Sequence, residues 1–200
     1  MERISSIALP FFKVTDTPHL PELGSIVIHH WACTGDLPHL KQTAEDSGVD
    51  SLLITDYYGN TVLHYAASSK SYNVAKYIVS LFPNNHFFNS MHITPAHIAA
   101  QRNDVKMLEI LKENTVLIKS CSYKNWEPVH FAIFYGNYEA VKYLLDNDLV
   151  KLSSLILGVE ACKDNFIILN SFKFMSLLDL ALYSKNEQII NLLNEKNALP

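Results

Sequence analysis

The sequence predicts an all-α solenoid of about five helix-turn-helix repeats, with an insertion before the last repeat. Three observations carry this expectation. A short motif recurs without gaps, each copy carries helix-start signals, and an apolar stripe at helical spacing follows each copy. Self-similarity at a fixed period is the mark of an array whose units bury their apolar faces on one another.

The copies are Ile26-Val27-Ile28-His29-His30-Trp31-Ala32-Cys33-Thr34-Gly35-Asp36, Thr61-Val62-Leu63-His64-Tyr65-Ala66-Ala67, Thr94-Pro95-Ala96-His97-Ile98-Ala99-Ala100 and Glu127-Pro128-Val129-His130-Phe131-Ala132-Ile133-Phe134-Tyr135-Gly136-Asn137. A fifth, Ser176-Leu177-Leu178-Asp179-Leu180-Ala181-Leu182, has Asp179 at the histidine position. Successive histidines stand 35, 33 and 33 residues apart, whereas His130 to Asp179 is 49, which leaves 16 residues over the period. The stack is therefore expected to be regular for four units and irregular before the fifth.

Within a copy, Thr61 or Thr94 offers a hydroxyl to the free N–H groups of a helix start. Pro95 and Pro128 follow at the first helical position, where a missing N–H is harmless. The alanines that come next permit close approach of neighbouring helices, and Gly35 and Gly136 fall where that helix must stop. Second helices present Val74/Tyr77/Ile78, Met107/Leu108/Leu111, Ala140/Val141/Leu144/Leu145 and Ile189/Ile190/Leu192/Leu193 at helical spacing.

The pattern resembles the ankyrin repeat, with its T-P-L-H-x-A signature over about 33 residues. Thr94 to Ala100 is the nearest match and Gly59 to Ala67 the next. The resemblance covers about residues 24–194 and implies a protein-binding scaffold. It divides the chain into an N-terminal extension, 1–23, and a repeat domain, 24–200. Repeats fall near 24–55, 56–88, 89–121, 122–170 (with the insertion) and 171–200. It also implies that His29, His64, His97 and His130 are structural, bonding backbone between adjacent repeats. Equivalent positions in a stack lie about 10 Å apart, so no two of these histidines can share an ion.

Composition narrows the function. An apolar share of 48% supplies a core, and 18% charged residues without a strongly charged, weakly apolar run exclude long disorder. A net charge of −4 excludes a nucleic-acid partner recruited by bulk charge. No apolar run is long enough to insert in a membrane, and the first 12 residues are too interrupted for a signal peptide. Cys33, Cys121 and Cys162 lack paired spacing and read as reduced thiols in a cytoplasmic setting. His29 and Cys33 share a helix face, yet no third ligand is near, so neither metal nor cofactor is expected. The pairs Glu45/Asp46 and Asp146/Asp148 read as solvated loops.

For the family, partners bind at the loop tips and the concave edge of the first helices. Carried onto this chain, that face comprises Tyr57, Tyr58 and Asn60 in the second repeat and Met91, Ile93 and Arg102 in the third. The fourth contributes Tyr123, Lys124, Trp126, Phe134 and Tyr135, and the fifth Phe172, Lys173 and Tyr183. Such aromatic density at exposed positions is the composition of an interface centre. The expected function is a non-enzymatic module, monomeric by itself, that binds another protein through this face. A Trp126→Ala, Tyr135→Ala variant is expected to fold and to lose its partner. The compact, Asn-, Lys- and Ile-rich composition resembles bacterial effectors that act in a host cytoplasm. The rival reading is an enzyme, or a subunit regulating one, whose site is built by Glu160, Cys162 and Asp164 of the 149–170 insertion with a histidine such as His130.

Overall fold

The computed structural model describes residues 27–120, 122, 126–150, 152, 155–157 and 174–197. Over these the chain forms five antiparallel helix pairs. They are α1 (Val27–Thr34) with α2 (Leu37–Ser47), α3 (Val62–Ser69) with α4 (Tyr72–Leu81), and α5 (Pro95–Gln101) with α6 (Val105–Leu111). After a short α7 (Thr115–Lys119) come α8 (Pro128–Phe134) with α9 (Tyr138–Asp146) and α10 (Leu177–Ser184) with α11 (Glu187–Asn197). First helices pack in the order α1, α3, α5, α8, α10, and second helices in the order α4, α6, α9, α11.

The alanine-rich first helices explain the close stacking. Ala32, Ala66, Ala67, Ala99, Ala100 and Ala132 are wholly buried, while Val74, Ile78, Met107, Leu108, Val141 and Leu144 fill the layer between the two helix rows. Burying a side chain of this size contributes about 1.5–3 kcal/mol, so each pair depends on its neighbours for most of its stability.

Helix starts follow the residue types read above. Pro95 and Pro128 open α5 and α8. At α3 and α5 the third helical residue, a histidine, completes a capping box with Thr61 or Thr94. Ser176 and Asp179 form the corresponding box at α10. Gly35 and Gly136 close the first helices with φ of +75° and +71°, a conformation that favours glycine.

The extra residues fall before the fifth pair, and beyond them α10 packs on α8 and α11 on α9, as their predecessors do. Strand β1 (Leu155–Leu157) pairs antiparallel with β2 (Phe174–Ser176), Leu155 opposite Ser176. This ribbon brings the two ends of the extra segment together and delivers the chain to α10 in register. The fold is thus mostly helical, with one small ribbon. Three of the four paired carboxylates lie in helices and not in loops, which corrects the expectation for them. Glu45 and Asp46 are in the last turn of α2, and Asp146 ends α9, where it binds Lys142 and Lys196, while Asp148 lies in the turn that follows.

Candidate functional site: the loop-tip and first-helix face

The histidine row fixes the geometry of this face. His64 Nδ1 accepts the Thr61 N–H at 3.1 Å, so the neutral ring carries its proton on Nε2 and donates to Ile93 O at 2.9 Å. His97 repeats the arrangement, with Nδ1 on the Thr94 N–H at 3.1 Å and Nε2 on Trp126 O at 2.8 Å. His29 reaches Ile54 O at 3.0 Å. His64 and His97 therefore each join a helix start to the loop of the following unit, and His29 ties α1 to the loop that carries Ile54. Burial pushes the imidazoles of His64, His97 and His130 down to about 4 and also lowers His29. They stay neutral at physiological pH, as structural bonding requires.

That bonding corrects three of the expected contact residues. Asn60, Ile93 and Trp126 occupy equivalent positions, immediately before the capping residue of a first helix. The carbonyls of Ile93 and Trp126 are held by the preceding histidines, which draws the residues into the stack, and all three are buried. Trp126 is only 2% exposed. Its ring lies 5.6 Å from both Phe131 and Phe134 and 6.3 Å from His130, so it is the core of an aromatic cluster and not a surface anchor. Replacing it with alanine would hollow the fourth unit, so the Trp126→Ala, Tyr135→Ala pair cannot serve as a neutral test of binding. Asn60 is likewise a latch, because its Oδ1 accepts from Asn89 Nδ2 at 3.0 Å.

Other expected residues do reach the surface. Tyr57 is 93% exposed and Tyr58 67%, their rings edge to face at 5.3 Å. Asp56 builds this tip by accepting from Tyr58 N, Asn60 N, Asn60 Nδ2 and Tyr65 Oη at 2.7–2.9 Å. Ser90 N donates to Tyr58 O at 2.9 Å, which stacks one tip on the next. Tyr135 (41%) and Tyr183 (38%) are exposed at the ends of first helices. Phe134 is half-buried between Trp126 and Tyr135, and Met91 and Arg102 are also half-buried. Tyr123, Lys124, Phe172 and Lys173 lie outside the described residues, as do Glu160, Cys162 and Asp164 of the rival reading.

A row of bonds not anticipated from the sequence runs beside the histidines. The residue capping the second helix of the second, fourth and fifth pairs reaches back to the first-helix end of the preceding unit. Ser71 Oγ donates to Cys33 O at 3.3 Å, Asn137 Nδ2 to Ala100 O at 2.8 Å, and Asn186 Nδ2 to Gly136 O at 3.2 Å. The signal was present in the sequence, since these polar residues share the histidine spacing.

Among the described residues no group of three His, Cys, Asp or Glu could hold a metal, and no helix is long and apolar enough to cross a membrane. Burial pushes the Cys33 thiol up to about 11, away from a reactive thiolate.

Stacked helix pairs joined through buried histidines define a helical-repeat scaffold. The family described as ankyrin repeats in three copies matches residues 80–154, and the single ankyrin repeat matches 58–87. Residues 58–154 thus match ankyrin repeats, and the described helix pairs form an all-α solenoid consistent with that fold, which mediates protein–protein interaction. It is similar to the human transient receptor potential cation channel subfamily A member 1, at 25% identity over 78% of this chain and 13% of the channel. It is also similar to a putative ankyrin repeat protein of Rickettsia bellii (strain RML369-C), at 24% identity over 56% of this chain and 34% of that protein. The chain thus matches only a minor part of the length of either relative.

Proposed function

We propose that the chain binds one partner protein, or a peptide of it, through the face made by the loop tips and first-helix ends of the second to fifth repeats, within 24–200. The exposure of Tyr57, Tyr58, Tyr135 and Tyr183 on that face carries the reading. Exposed tyrosines on a rigid scaffold give large contact area with little ordering entropy. Chemistry is not part of this function, nor is nucleic-acid binding or membrane insertion, and the chain acts as a monomer. The setting is cytoplasmic. The bacterial relative and the composition favour an effector that acts on a host protein.

The test is affinity capture from a host-type lysate with wild type and a Tyr57→Ser, Tyr135→Ser, Tyr183→Ser variant. These side chains are exposed, so the variant keeps its helical content and unfolding midpoint while partner recovery falls at least about tenfold, the loss of one interface anchor or more. Undiminished capture by the folded variant sinks the assignment of the face.

A further inference from the structure

We propose that Lys70, Arg102 and Lys185 form a cationic edge that seats an extended acidic segment of the partner. The proposal rests on the protein-binding reading above and specifies the chemistry of what is bound.

The three residues mark one edge of the stack. Lys70 and Lys185 occupy the turn between paired helices, at the position held by Gly35 and Gly136 in the first and fourth units, and Arg102 precedes Asn103 at the same turn of the third. Adjacent turns are tied together: Asn73 Nδ2 donates to Gly35 O, Asn186 Nδ2 to Gly136 O, and Ala140 N to Asn103 Oδ1.

These cations are also free. None of the three forms an ion pair among the described residues, whereas Lys142 and Lys196 hold Asp146, Lys112 donates to Asn147, and Lys41 and Lys106 lie over Tyr77 and Tyr72. Glu187 and Asp104, each two residues from one of these cations, form no ion pair with it among the described residues. Asp104 instead accepts a backbone N–H at the start of α6, and Glu187 lies in the first turn of α11, where both offset the positive end of a helix dipole.

Backbone strain is the independent observation. Lys70 has φ +59° and Lys185 φ +54°, a conformation unfavourable for a side chain with Cβ. A lysine at an ordinary position in the last turn would complement the helix dipole equally well. Dipole complementation therefore does not account for lysine where glycine is preferred, whereas projection of a cation from this edge does. Strain retained at one kind of position is a sign of function.

The geometry selects an extended acidic chain. Stacked helices repeat at about 10 Å and a strand rises about 3.3 Å per residue. Carboxylates about three residues apart would meet Lys70 and Arg102, and one about six residues further on, past Gly136, would meet Lys185.

The probe is a 12-residue peptide of repeating Glu-Ser-Tyr, compared with a Lys-Ser-Tyr peptide and a 12-nucleotide thymidine oligonucleotide, each titrated into the full chain. The acidic peptide binds, weakens at least about tenfold between low and moderate salt, and weakens at least about tenfold again with Lys70→Gly, Arg102→Gln and Lys185→Gly combined. The thermal midpoint of that variant does not fall, because glycine relaxes two strained turns. No binding of the acidic peptide at low salt overturns the proposal. So does equal binding of the basic peptide, tighter binding of the oligonucleotide, or undiminished affinity of the triple variant. The tyrosine capture experiment is independent of all these outcomes, so failure here leaves the binding face standing.

Discussion

At the scale of single residues, the turn between paired helices presents one conformational demand met in three ways. The φ values at Gly35, Lys70, Asn103, Gly136 and Lys185 are +75°, +59°, +53°, +71° and +54°. Glycine meets the demand without strain. Asparagine tolerates it and here adds a bond, since Asn103 Oδ1 accepts the Ala140 N–H at 2.9 Å. Lysine meets it with neither advantage, at a cost of about 1–2 kcal/mol, partly offset because glycine loses more entropy on folding. Lys70→Gly and Lys185→Gly should each therefore raise unfolding free energy by about 0.5–1 kcal/mol, whereas Asn103→Gly should lower it by about 1 kcal/mol through the lost bond. Urea denaturation of the three single variants checks the sign. A destabilised Lys70→Gly would mean that the lysine stem packs in a way that outweighs the strain.

At the scale of the element, His64 and His97 each bridge two repeat units, and the two buried groups each satisfies set its worth. Removing the His97 ring leaves the Thr94 N–H and the Trp126 carbonyl without their partner, both in the interior. Each such loss costs about 1–3 kcal/mol. Among the described residues His130 keeps only the first kind of bond, from Glu127 N at 2.9 Å, and its Nε2 has no partner there. His97→Ala is accordingly expected to destabilise the stack by about 2–5 kcal/mol, and His130→Ala by measurably less, on chemical unfolding. Equal losses would place the energy in ring packing alone. Helix starts were legible in the sequence because caps and first-turn prolines are written in residue type at fixed offsets. The burial of Trp126 was not, since an aromatic just before a helix start reads as a loop residue until the histidine one unit earlier is seen to grip its carbonyl. Nor was the ribbon of β1 and β2 legible. Its two three-residue strands lie 16 residues apart, too short and too separated to produce an alternating pattern. The 3-10 turn at Val49–Leu53 and helix α7 escaped for the same reason of length.

At the scale of the whole molecule, the repeat multiplies one chemical commitment along the stack. His64, His97 and His130 are all buried and all held neutral, at about 4 against an ordinary 6.5, with burial the main cause. A depressed folded-state value means that the unfolded chain takes up protons between pH 6.5 and 4 while the folded chain does not. Stability is therefore level above about pH 7, falls as pH drops through 6.5, and stops falling from this source near 4, where the folded rings also protonate. Within the window each histidine removes up to about 1.4 kcal/mol per pH unit. Three acting together remove several kcal/mol between pH 6.5 and 5, a large share of the 5–15 kcal/mol typical of a domain. Asp146, held below the usual carboxylate range by hydrogen bonds from Lys142 and Lys196, loses its contribution only as pH falls below about 4, so it does not blur the window. The stack should accordingly unfold cooperatively near pH 5, with the urea midpoint falling steeply from pH 6.5 downward. Proton NMR should show these three rings failing to titrate while the chain remains folded. A midpoint flat from pH 7 to 5, or ordinary titration of the three rings in the folded protein, would contradict a stack held together by neutral histidines.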